Sequence, residues 1–122
     1  MNREQRELKR EYKERWKQVS ISIEAALSEV AEMMKITFDA IGTPEPDSGL
    51  DQAGLEDGEK IVREYLKYNE YELALEHLCY MIEAADLPIS PYTFDLIASA
   101  GKTMKMSPNF WIVFDPSDSL EN

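Results

Sequence analysis

The chain is poor in the residues that carry covalent or metal chemistry. Of 122 residues, one is cysteine and one is histidine. A single thiol cannot close an internal disulfide, so nothing points to an oxidising compartment. A single histidine rules out the two Glu-x-x-His pairs of carboxylate di-iron bundles. The glycines near "GLDQAGLEDGEK" match no phosphate-cradling loop, and acids stand where phosphate would lie. "PDSGLDQAGLED" lacks the acid spacing and the glycine position of an EF-hand. There is no G-x-S-x-G elbow. Apolar runs are short of the ~18 residues a membrane span needs. The opening "MNREQRELKREYKERWK" has no apolar core of a secretory signal. The expectation is a cytoplasmic protein with no catalytic residue, no metal ligand, no cofactor and no membrane contact.

Negative charge, by contrast, is abundant. The chain holds 24 acidic and 13 basic residues, a net of −11. The imbalance is uneven: residues 1–18 carry seven basic and four acidic side chains, and residues 19–122 carry six basic and twenty acidic ones. Such a body repels nucleic acid phosphates, which argues against direct DNA or RNA binding. The same field steers the protein toward a basic partner.

Apolar spacing predicts an all-α protein. Leu8, Tyr12, Trp16, Val19, Ile23, Leu27, Val30, Met34, Phe38 and Ile41 follow one another at steps of three or four, the period of one helix face. The segment reads as one long helix or as two bent near "QVSISI", whose low helix propensity favours a break near Ser20. Glu11 with Arg15 and Arg10 with Glu14 are spaced for surface ion pairs. Gly42 and Pro44 end the segment, and residues 42–54 read as a loop. Helix resumes with the stripe Ile61, Val62, Tyr65, Leu66. Asn69 interrupts it, and Tyr71, Ala74, Leu75, Leu78, Cys79 and Ile82 form the next. In "DLPISP", Ser90 suits an N-cap and Pro91 the first helical position. Phe94, Ile97, Ala98, Gly101 and Met104 make a third stripe. Residues 107–122 form a C-terminal arm, in which residues 110–114 are the one candidate strand. Of Phe110, Trp111 and Phe114, at least two are expected to close the core, since an exposed apolar cluster of that size is a liability. The reading is a single domain over 1–122: four or five helices in a small bundle, with a basic first helix over 1–18 and room for a short extended C-terminal segment.

The lone histidine and cysteine fall together in "YLKYNEYELALEHLCYMIE", residues 65–83. His77 and Cys79 are two apart on a helix, so they point to opposite sides and cannot form a dyad. Cys79 lies on the apolar stripe, where a free thiol fills core. Glu72, Glu76 and Glu83 fall on the far face, flanked by His77 and Tyr80. A charged helix face is commonly no more than solvated surface. Acids ringing tyrosines also suit a basic cleft, because tyrosine is enriched where interfaces concentrate their energy.

Residues 57–106, "DGEKIVREYLKYNEYELALEHLCYMIEAADLPISPYTFDLIASAGKTMKM", resemble the MafI-type immunity proteins of bacterial polymorphic-toxin and contact-dependent growth-inhibition systems. The features that carry the resemblance are "VREYLKYNEYELALEHL", the acidic helix end, "LPISPYTFDLI" and "GKTM.M". It covers about half of the chain. Residues 20–41 match the family's leading helix in character, and the basic first helix and the "NFWIVF" tail depart from the pattern. The resemblance implies an antitoxin that binds the toxic C-terminal domain of a large effector, often a nuclease, with EndoU-type RNases a recurring case. On this reading Glu56, Asp57, Glu59, Glu70, Glu72 and Glu76 meet basic residues of the toxin. Tyr68, Tyr71 and His77 are contacts, and the chain is a monomer in a 1:1 complex. The other reading is a helical adaptor that dimerises through its first helix.

Overall fold

A computed structural model of the chain describes residues 2–41 and 57–117, and the described residues form four α-helices followed by two 3-10 turns, with no strand among them. Helix α1 is Arg3–Ile41, α2 is Gly58–Lys67, α3 is Tyr71–Ala84 and α4 is Pro91–Thr103. The expected loop over 42–54 and the Gly42 cap lie outside the described residues. The all-α bundle predicted by the apolar spacing is the observed architecture.

Helix α1 runs 39 residues without the break expected near Ser20. Burial explains the continuity. Val19, Ile23, Ala26 and Leu27 lie on both sides of Ser20 and are all essentially inaccessible. Packing along that face outweighs the weak local propensity of "QVSISI", since most helical stability in proteins comes from the packed face. The ion pairs also differ from those expected. Among the described residues they are Arg3 with Glu7 at 3.2 Å and Arg63 with Glu59 at 3.3 Å. Both are exposed, so each contributes little.

α1 is the spine. It packs along α4 and against the hairpin that α2 makes with α3. The core joins Val19, Ile23, Leu27, Val30 and Met34 of α1 to Val62, Leu75, Leu78, Ile82, Ile97 and Trp111. All three predicted stripes are the buried faces of their helices. A cross-link between helices holds α4 in place. The Ser90 hydroxyl caps α4 by accepting from the Thr93 N–H at 3.1 Å. Ser90 also donates its own N–H and O–H to the two carboxylate oxygens of Glu29 on α1, at 3.2 and 2.9 Å. One acid on α1 thereby fixes the cap that starts α4.

Helices α2, α3 and α4 end alike. Asn69, Asp86 and Lys105 take left-handed backbone, with φ of 60°, 51° and 59°. After each, the next residue's N–H reaches back five positions: Glu70 to the Tyr65 carbonyl, Leu87 to Ile82, Met106 to Gly101. These are Schellman ends built without glycine. Asn and Asp tolerate the left-handed region better than most residues.

Over residues 108–114 the C-terminal segment is not extended. Residues 108–110 and 112–114 close as 3-10 turns, started by Ser107, whose hydroxyl accepts from the Asn109 N–H at 3.3 Å. The backbone groups of Phe110, Trp111 and Phe114 bond locally to Ser107, Pro108 and Trp111. With no strand alongside to pair with, an extended run would leave them unsatisfied. Trp111 is buried against Gly101, and Phe114 packs edge-on to Phe94 with ring centroids 6.3 Å apart. Two of the three aromatics close the core, as expected, and Phe110 stays partly exposed.

A candidate protein-interaction surface at the α2–α3 junction

The tight Schellman turn at Asn69 brings the end of α2 and the start of α3 to one corner of the bundle. Glu70 and Glu72 open α3, both exposed, and Glu76 follows one turn later, half-buried. They share a shallow cleft with Tyr71, Leu73 and Trp16 of α1. A second cleft next to it is lined by Glu64, Tyr65, Tyr68, Glu70 and Leu73. Tyr68 is 63% exposed and Leu73 42% exposed, so the surface has apolar anchors inside an acidic rim. Acids at the first turn of α3 also suit the positive end of its dipole.

Aromatic contacts tie the start of α3 to α1. Tyr71 stacks on Trp16, with centroids 5.2 Å apart and planes 22° off parallel. Its hydroxyl donates to Asn69 Oδ1 at 3.0 Å. Tyr12 meets Trp16 edge-on, with centroids 5.9 Å apart. The buried indole N–H of Trp16 has no acceptor among the described residues. Lys67 extends its ammonium to 5.7 Å from the Tyr68 ring.

The expected contact residues divide into two groups. Tyr68, Glu70, Tyr71, Glu72 and Glu76 gather at the junction. Asp57 and Glu59 stand at the opposite end of α2, about 15 Å away at 1.5 Å per residue. There Glu59 pairs with Arg63 and borders a cleft with Lys35, Phe38, Asp39 and Met81. Glu56 lies outside the described residues. His77 is half-buried beside Tyr80, with ring centroids 5.8 Å apart, and burial holds its pKa below the ordinary imidazole value. It faces neither junction cleft. Spacing alone did not reveal Trp16, Tyr12, Glu64 and Leu73 as part of this surface. Tyr12 and Trp16 were visible as members of the α1 stripe. Which helix that stripe meets is decided only by the packing.

Cys79 takes no part. It is 2% exposed, and burial first, then Glu83 and Glu76, push its thiol up to about 12. A nucleophilic thiol needs the reverse shift. In the folded chain Cys79 is expected to react with an aromatic disulfide reagent at about pH 8 roughly a hundredfold or more slowly than in the urea-unfolded chain. Equal rates in the two states would contradict its burial. Among the described residues, no group of three or more His, Cys, Asp and Glu side chains is arranged to hold a metal ion. No described helix is long and apolar enough to cross a membrane.

Fold and surface together define a small helical bundle with an acid-rimmed aromatic corner. No protein-family model matches the chain, and neither a curated protein nor a solved structure matches it.

Proposed function

We propose that the chain is an immunity protein that binds and neutralises a bacterial toxin domain within the cytoplasm. The toxin is a nuclease, with an EndoU-type RNase the favoured class. The observation that carries the reading is the junction surface, where Glu64 and Glu70 border Tyr68 and Leu73 in one cleft and Glu70, Glu72 and Glu76 border Tyr71 and Leu73 in the next. A ribonuclease cleft is basic because it must hold phosphates. An acidic helical corner with aromatic anchors complements such a cleft in charge and shape, and occupying it blocks RNA entry. The 20 acids against six basic residues beyond position 18 add long-range steering. Speed matters for an antitoxin, and electrostatic steering acts mainly on the association rate. The resemblance of residues 57–106 to MafI-type proteins supports the same reading.

The two groups of expected contacts sharpen it. The junction acids and tyrosines form the toxin-facing set, and Asp57 and Glu59 stand apart from it. The test is to read the adjacent reading frame for a large effector with a basic C-terminal domain and to express that domain with and without the chain. Co-expression is expected to restore growth, and the two proteins are expected to co-purify. Persistent killing with no complex on purification would overturn the reading.

A further inference from the structure

Helix α1 outruns the body it supports. Every side chain over residues 2–15 is exposed, and burial begins at Trp16 and Val19. Residues 3–15 make a free helical overhang about 20 Å long. Its apolar positions, Leu8 at 65% and Tyr12 at 59% exposure, continue the stripe that becomes core at Val19, Ile23 and Leu27. Among the described residues Tyr12 meets the edge of the body at Trp16, and nothing covers Leu8. A helix of this length is marginal alone. Here it grows from the packed part of α1.

Charge identifies what would cover it. Arg6, Lys9 and Lys13, spaced three and four apart, form a basic stripe next to the apolar one. Lys13 borders a cleft with Tyr12, Trp16, Asn69 and Tyr71, so this stripe begins where the acidic junction ends. The overhang cannot fold back onto its own junction without breaking α1. A second copy has no such constraint.

We infer that the overhang of one chain docks across the α2–α3 junction of a second copy, and that the exchange is reciprocal. The basic stripe of each overhang then faces Glu70, Glu72 and Glu76 of the other copy. The contact is isologous and closes at two copies. Overall repulsion between two chains of net charge −11 is screened beyond about 8 Å at physiological salt, while the facing stripes meet within that distance. This dimer of the free chain is a separate proposal from the 1:1 toxin complex expected from sequence. It rests on the overhang and the junction alone, whatever else the junction binds.

Sedimentation equilibrium of the full chain, without any toxin, tests it. At high micromolar concentration the expected mass is twice that of one chain. Leu8→Glu is expected to give a monomer with unchanged helical circular dichroism. Reversing the stripe (Arg6→Glu, Lys9→Glu, Lys13→Glu) is expected to do the same, as is reversing the junction (Glu70→Lys, Glu72→Lys, Glu76→Lys). Mixing these last two variants should restore the dimer, because each overhang then meets a junction of opposite sign. A monomeric native chain, a dimer that survives either reversal, or a mixture that stays monomeric overturns the arrangement. Growth protection by the Leu8→Glu chain is expected to persist, so failure of the dimer and failure of the immunity reading are told apart.

Discussion

A chain carrying Glu70→Lys, Glu72→Lys and Glu76→Lys is expected to fold normally and to bind the toxin domain about a hundredfold or more weakly. That factor corresponds to about 3 kcal/mol, at about 1.4 kcal/mol per tenfold. The three carboxylates border one cleft, so reversing them turns attraction across a basic partner into repulsion at close range. Slower association is expected to account for much of the loss, and the defect should shrink as salt rises. Folding should survive. Glu70 and Glu72 are exposed, and losing their interaction with the start of α3 costs about 0.3–1 kcal/mol each. A control with Glu32→Lys, Glu83→Lys and Asp95→Lys makes the same change in net charge at exposed positions on three helices. Calorimetric titration of both variants checks the assignment. An equal loss in the control would show that net charge, not the junction, drives binding.

The second large effect is structural. Gly101→Ala is expected to lower stability by about 1–3 kcal/mol, the range for overpacking a filled core. In an exposed helix the same change would add about 1 kcal/mol, because alanine is the better helix former. The sign reverses here because the six-membered ring of Trp111 lies where the new methyl group would go. Trp111 is 3% exposed and has no open side to move into. Gly58→Ala is the milder comparison, since the atoms it meets are the flexible end of Met81. Trp111→Ala alone should cost about 3–5 kcal/mol, as large aromatic truncations do. In that background Gly101→Ala should cost nothing or stabilise. Thermal melts of the four chains form a double-mutant cycle, and additive effects would refute the contact.

Much of the fold was legible because helical burial leaves a direct mark on sequence. The stripes through Val62, Leu75 and Ile97 are the buried faces, and Ser90 with Pro91 starts α4 as its residue types require. Two expectations failed for a common reason. The break near Ser20 and the extended run at 110–114 were read from local propensity. Each was decided by contacts with residues far away in the chain, such as Gly101 beneath Trp111. The helix ends at Asp86 and Lys105 were also hidden, since neither residue type announces left-handed backbone as glycine would.

By itself, then, the sequence determined the all-α class, the faces that are buried, the place of Cys79 in the core and the separation of a basic start from an acidic body. Periodicity and composition are properties of neighbouring residues, and each of these conclusions needs nothing more. The tertiary structure alone decided where faces meet. It set Trp16 against Tyr71 at 5.2 Å, gathered five of the expected contacts at the Asn69 turn and left Asp57 and Glu59 at the far end of α2. It also ended the body at Trp16 while α1 continued. An exposed Leu8 and a buried Leu27 share one stripe in sequence. Only the length of the helices packed beside α1 makes one of them core and leaves the other uncovered.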